Sequence, residues 1–437
     1  PSGCAVPFDE WPQALSPARG YVQHANNDPA AITVDNDLFD EPHYIGGPWL
    51  EGYRASRIED RLEAAIAADR ATIAEMQAIQ GDHHSNLGED WVPILLAEIE
   101  HARTVAAGAP ADGTSDARIA AAFTAERAAI EDVEARLVAW REAGYPTPSG
   151  VETFYSAPAA GDAPSAIATT IFATWFPRFV RGTMDDEGIP GGLSPAVTGD
   201  TFRMQTIDLL VRGRGAGNPL SLGSWDATRE ESVFFDDLST PALTETSHEI
   251  AIRSLGEALA FLRSEPTAPG QGGFGSSDPS AWIWGLRHGV RFDSLLAGFL
   301  GDDPMFSVFV DSFSITPELL PLAEDLAAGD PRAGLTFFPR PGDQFDIDAA
   351  NPGMSGERFT HGSGPVFRMV IALGPDGVEG HNILPGGQSG LNNSEHFADQ
   401  VRLWLGNETV PMRFTVEDVV AGGEGREVFV PSAAAAP

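Results

Sequence analysis

Three stretches of this chain group polar side chains among glycines and prolines. The first is Gly20-Tyr21-Val22, continuing to Ala25-Asn26-Asn27 and Pro29. The second is Tyr53-Arg54-Ala55-Ser56-Arg57-Ile58. The third is Pro385-Gly386-Gly387-Gln388-Ser389-Gly390, followed by Ser394, His396, Asp399-Gln400 and Trp404. Asn and Gln offer neutral N–H donors, and Arg offers a planar, permanently charged fork. Read alone, an Asn-Asn pair is a turn signal, and an arginine at a helix start is a surface ion pair. No self-contained catalytic motif completes them. Gly387-Gln388-Ser389-Gly390 has the wrong spacing for a G-x-S-x-G elbow. Gly213, Gly215 and Gly217 do not make G-x-G-x-x-G, and no H-E-x-x-H occurs. His83-His84 beside Asp82 suggests a metal, but neighbouring side chains on a helix point about 100° apart. A helix-terminus role suits that pair better.

Composition narrows the chemistry further. The 437 residues could bury a large core. The net charge is −36, from 63 acidic and 27 basic residues. Nucleic acid is excluded as a partner, because the field has the wrong sign for phosphate. Every basic residue is Arg; there is no Lys. A P-loop lysine, a lysine Schiff base and a Ser-Lys dyad are therefore ruled out. The acidity reads as adaptation to solubility or high salt, with an acidic patch for a cationic substrate as the alternative. Cys4 is the only cysteine, which rules out an internal disulfide and a cysteine-based zinc site. No run reaches the roughly 18 apolar residues of a membrane-spanning helix, so no membrane partner is expected.

The elements that would position these residues follow from periodicity. Residues 1–57 read as loops and short extended segments. From Arg57 to about Thr104 the pattern is helical, with Ile58, Leu62, Ile66, Ile73, Met76 and Ile79 at three-, four- and seven-residue steps and a break at Gly81-Asp82. Residues 116–143 read as helix up to Gly144. Ile167, Ile171, Trp175 and Phe179 form one stripe of a helix over about 165–180. Further helices are expected at 202–211 and 244–264, and a loop at the Gly-rich run 270–275. Val366–Leu373 and Val378–Leu384 read as a hairpin turning at Gly374-Pro375-Asp376-Gly377. Residues 393–405 read as a helix. The expected plan is one large domain whose sheet is built from both ends of the chain.

Taken in order, these blocks resemble the large subunit of the penicillin acylase family, whose members act on amides through an N-terminal nucleophile. The resemblance covers most of the chain. Met76 to Ser85 and Trp282-x-Trp284-Gly285-x-x-His288 also match, and read as architecture. The resemblance implies an α+β fold, part of an αββα N-terminal-nucleophile hydrolase sandwich with a large helical insertion, its N-terminal catalytic strands missing. Residues 1–57 would carry the core loops and strands, 58–330 the helical region, and 331–437 the strands and helix closing the core. Asn26 aligns with the side chain that lines the oxyanion hole, where a preorganised neutral donor stabilises negative charge on the attacked carbonyl. Arg54 aligns with the arginine that organises the site, with Arg57 an adjacent alternative. Asn27, Gln388 and Ser389 would support them. Asp37 matches a calcium-binding aspartate; calcium takes roughly six to eight oxygens, the rest from segments upstream.

The implied activity is amidohydrolysis of a linear N-acyl amide, such as a β-lactam side chain or an acyl-homoserine lactone. It needs no catalytic cofactor, though a structural Ca²⁺ is implied. His288 and His396 are expected to be structural, because the nucleophile's own amino group serves as the base. Pro1 is not a nucleophile, so the resemblance places the serine upstream. The small subunit and the N-terminal part of the same precursor would then be partners, with the intact precursor periplasmic or secreted. The alternative is a non-catalytic homologue acting as a binding or scaffold protein. On the acylase reading, Asn26, Arg54 and the Gln388 loop should meet at one cleft.

Overall fold

The computed structural model describes residues 6–29, 42–43, 46–47, 49–187, 199–301, 303–317, 326, 329–375, 377–423, 425 and 427–429. Helices dominate its first two thirds. The periodic run after residue 53 forms α1 (Tyr53–Ala67), α2 (Ile73–Gln80) and α3 (Asn86–Gly108). The run breaks once more than its apolar spacing suggested. Asp69 takes a left-handed φ of 52°, and Thr72 then caps α2 by accepting from the Glu75 N–H at 3.2 Å. Ser85 caps α3 through the Gly88 N–H at 2.9 Å. The single helix expected over 116–143 is likewise two, α4 (Ser115–Ala125) and α5 (Arg127–Glu142), separated at Glu126.

At the centre lies α6 (Asp162–Met184), packed against α5, α7 (Asp200–Arg212) and α8 (Ser247–Arg263). The expected stripe of Ile167, Ile171, Trp175 and Phe179 is buried, but so are Ala168, Phe172, Phe176 and Val180. A helix apolar on several faces belongs inside the core rather than on its edge. Phe172 and Phe176 stack with centroids 5.8 Å apart, and Trp175 and Phe179 at 5.4 Å. Trp175 Nε1 donates to the Ala251 carbonyl of α8 at 3.1 Å, so its one polar atom is not left unpaired.

The last hundred residues form a three-stranded antiparallel sheet of order β1 (Arg368–Gly374), β2 (Gly377–Ile383), β3 (Val410–Pro411). The hairpin register runs from Arg368↔Ile383 to Gly374↔Gly377. Ile383 joins Val290, Phe338, Val401 and Trp404 in a smaller apolar cluster. All three strands come from the C-terminal end; among the described residues of 1–57 there is no strand.

The helix expected over 393–405 is confined to Val401–Leu405. Its upstream half is tied to the preceding loop instead. The Gln400 N–H donates to the Gly386 carbonyl at 2.9 Å, and Gln400 Oε1 accepts from the Leu384 N–H at 3.0 Å.

Beneath the sheet the stabilising groups are polar. Asp348 is buried and accepts from Arg340, Arg368 and, at 2.9 Å, His83. Trp404 lies under both guanidiniums, 4.7 Å from Arg340 and 4.4 Å from Arg368. Burial alone would raise the Asp348 carboxyl, but the Arg340 charge, His83 and Arg368 outweigh it and hold it below the usual range. Two neighbours behave oppositely. Burial pushes Asp343 up to about 7 against the hydrogen bond from Ser85, and pushes Asp346 well above its usual value. Among the described residues, no helix is long and apolar enough to cross a membrane.

Candidate active site

Asn26 sits at a tight corner with φ of 62°, a left-handed conformation that Asn tolerates better than most side chains. The corner is held on both sides. The Asn26 N–H donates to His24 Nδ1 at 3.2 Å, and the Asn26 carbonyl accepts from the Leu50 N–H at 2.9 Å. Asn27 works on the corner itself, its Oδ1 accepting from the Ala25 N–H at 3.0 Å.

Arg54 reaches this corner from the first turn of α1, which opens at Gly52 with φ of 88°. Its Nη2 donates to the Ala25 carbonyl at 3.0 Å and to Asn26 Oδ1 at 2.7 Å. The second bond orients the Asn26 amide. Its oxygen must face the guanidinium, which turns the NH₂ group away from it. Asn26 is exposed, so that donor can be reached from outside the fold. Burial lowers the Arg54 pKa, while the charges of Asp346 and Glu51 oppose the shift. Arg57, one helical turn on, does something else: it forms a two-point ion pair with Asp82 at 3.0 and 2.9 Å. Of the two arginines, Arg54 is the one that touches Asn26.

Other residues converge here that sequence reasoning passed over. Tyr53 stacks on Phe345 at 5.7 Å and accepts from Trp91 Nε1 at 2.9 Å, joining α1 to α3 and to the acidic 343–348 segment. The Asp343-x-x-Asp346-x-Asp348 spacing between turn signals was the available cue. Gln23 Oε1, Trp49 Nε1 and Glu51 Oε1 are buried without a hydrogen-bond partner among the described residues. Native folds leave few such atoms unpaired, and their grouping beside Asn26 and Arg54 marks the region as one built to meet something else.

The Gln388 loop is held by its own local bonds. Gln388 is exposed; the Ser389 N–H donates to the His396 carbonyl at 3.0 Å, and Ser389 Oγ accepts from the Leu391 N–H at 3.1 Å. Neither residue has a hydrogen bond to Asn26 or Arg54. Gly387 is required for this packing, since a Cβ there would run into the backbone carbonyl oxygen of His396. Asp37 lies outside the described residues. Among those described, no group of three or more His, Cys, Asp or Glu is arranged to hold a metal ion.

Four of the histidines have hydrogen-bond partners in the structure. His83 meets Asp348, and His84 bridges the Gly144 carbonyl and Glu89, both at 2.9 Å. His288 is fully buried, bonds the Phe359 carbonyl at 2.6 Å and stacks on Trp284. Burial pushes its pKa down to about 3, leaving it neutral at ordinary pH. His396 pairs with Asp399 at 2.9 Å.

The family described as Penicillin amidase matches residues 2–421. The acyl-homoserine lactone acylase QuiP of Pseudomonas aeruginosa is 27% identical over 201 residues, 44% of this chain and 19% of that protein. A thermostable penicillin G acylase from Alcaligenes faecalis is structurally similar with a TM-score of 0.49 at 16% identity, covering 98% of this chain and 60% of that one. The chain thus spans less than two thirds of either relative's length. With a family match running from residue 2 to residue 421, the chain belongs to the penicillin amidase family.

Proposed function

We propose that this chain is part of the catalytic subunit of an acylase that hydrolyses the linear amide of an N-acyl compound. The observation that carries the reading is the 2.7 Å bond from Arg54 to Asn26 Oδ1. It presents the Asn26 NH₂ as a fixed neutral donor, which is what a developing oxyanion requires. The nucleophile is a serine at the N-terminus of a strand contributed from outside these 437 residues. That strand and the small subunit complete an αββα sandwich around the site. The serine's own amino group, acting through water, takes the hydroxyl proton as oxygen attacks the amide carbonyl. Negative charge gathers on the carbonyl oxygen and is met by Asn26 Nδ2. The tetrahedral species collapses, the amine leaves, and water then releases the acid from the acyl ester. Arg54 is a positioning residue: it holds the Asn26 amide and does not touch the reacting atoms. Acyl-homoserine lactones and penicillins, the substrates that the relatives' names carry, are the first classes to assay.

The test is expression of the complete reading frame, followed by hydrolysis assays on acyl-homoserine lactones of graded chain length and on penicillin G. Asn26→Ala should lower kcat by about 100- to 1000-fold with intact folding. Arg54→Lys should lower kcat less and leave KM nearly unchanged. Activity of Asn26→Ala within a few-fold of the parent would remove the oxyanion role.

A further inference from the structure

Among the described residues, Arg287 is a buried cation without a counter-ion. It is 7% exposed, inside the Trp282–His288 block. Its Nε donates to the Gly272 carbonyl at 2.9 Å, its Nη1 to the Leu286 carbonyl at 2.8 Å, and its Nη2 to the Gly273 carbonyl. The guanidinium also lies over Phe274, 4.1 Å from the ring centroid. A guanidinium carries five N–H donors. One N–H on each terminal nitrogen therefore has no protein acceptor among the described residues. The contrast with Arg340 and Arg368 is direct, since those buried arginines share Asp348. Burial alone, with no neighbouring charge, pushes Arg287 down to about 10. The missing partner is not for want of carboxylates, which outnumber arginines 63 to 27.

The surroundings of Arg287 are built to hold it there. The Gly-rich run folds into a short hairpin, Pro266–Ala268 against Gln271–Gly272. It closes on the end of α8, where the Phe274 N–H donates to the Leu262 carbonyl and the Gly275 N–H to the Ser264 carbonyl, both at 2.8 Å. Gly273 permits that approach, because a Cβ there would run into the carbonyl oxygens of Phe261 and Ser264. Two successive carbonyls are thus turned onto the arginine. Arg287 also lines a half-open cavity of about 540 Å³, together with Pro266, Pro269, Phe274, Leu286 and Pro331. That volume lies within the range of small-molecule sites, about 300–1,000 Å³.

We propose that this cavity binds a small organic carboxylate with an apolar tail, the carboxylate on the free N–H groups of Arg287 and the tail against the proline and phenylalanine walls. Two N–H donors on one planar fork match the two oxygens of a carboxylate, and a neutral amide cannot supply the charge. The site shares no residue with the Asn26 corner and stands independently of the acylase reading.

Calorimetric titration of the product of the complete reading frame with benzoate, and in parallel with benzamide, tests this. Saturable one-to-one binding of benzoate, at least about tenfold tighter than benzamide, is expected. Arg287→Met should abolish it. Because Arg287 also holds the 272–273 backbone, a second variant keeps the test decisive. Ala333→Trp, at the exposed rim of the cavity, should weaken benzoate at least about tenfold by filling the space, with an unchanged melting profile. Arg54→Ala should bind benzoate as the parent does. Equal affinity for benzoate and benzamide, absence of saturation, full binding by Ala333→Trp, or loss in Arg54→Ala would each overturn the proposal.

Discussion

Around α6, the rings of Phe172, Trp175, Phe176 and Phe179 pack on one another and on α8. Under the three-stranded sheet, the same degree of burial is achieved by Asp348 clasped between Arg340, Arg368 and His83. The first region relies on non-directional apolar burial, which tolerates small shifts. The second relies on charges whose desolvation is offset only while every partner is in place. The candidate site lies at the seam between them. Tyr53 takes a hydrogen bond from Trp91 and stacks on Phe345, which belongs to the same apolar cluster but sits in the chain between Asp343 and Asp346, and Arg54 follows it directly. A corner that must hold an amide in one orientation is thus braced by both kinds of packing.

The contrast can be broken most forcefully by removing one centre from each region. Asp348→Ala strands two buried arginines, and should cost about 3–5 kcal/mol of unfolding free energy. Trp175→Ala should cost about the same through the cavity it leaves. Acid separates them. A carboxylate with a lowered folded pKa contributes its stability above its unfolded value and loses it as pH falls further. The gap between Asp348→Ala and the parent should therefore shrink below about pH 4, while the Trp175→Ala gap should not. Urea melts at pH 7 and pH 3 read both; a pH-independent gap for Asp348→Ala would deny its ionic role.

Asp343 sharpens the same comparison with the opposite sign. Its folded pKa is raised to about 7, so its neutral form favours folding at low pH. That advantage is lost as pH climbs from the ordinary aspartate value towards 7. Asp343→Asn, which keeps a hydrogen-bonding side chain without the ionisation, should gain on the parent over that window. The relative gain is on the order of a few kcal/mol. Thermal melts at pH 5 and pH 8 measure it; equal differences at the two pH values would place the titration elsewhere. The smallest effect belongs to the helical half. Thr114 caps α4 by accepting from the Ala117 N–H at 3.2 Å, and Thr114→Ala should cost about 1 kcal/mol with no pH dependence.

Much of the helical half could be read from local pattern. The spacing of Ile167, Ile171, Trp175 and Phe179 announced α6, and Gly374 to Gly377 announced the hairpin turn. The pattern erred where backbone groups found partners outside their own helix, as Gln400 does with Gly386 and Leu384. It also missed breaks such as Asp69, where an αL residue interrupts an otherwise helical composition. At the site, Asn26 and Arg54 were legible through motif resemblance, whereas the stacking of Tyr53 on Phe345 was not. Their meeting joins residues about 290 positions apart, and nothing in the neighbourhood of either side records it.

Composition and periodicity were enough to exclude lysine chemistry, to set the expectation of no nucleic-acid partner, and to place the long helices. These are properties of residue types and of short repeats, so they survive without knowledge of the chain path. The division of labour between Arg54 and Arg57, the ring of partners around Asp348 and the lone charge of Arg287 depended on folding. Each concerns which carboxylate, amide or carbonyl a guanidinium meets, and the chain path alone brings those groups together.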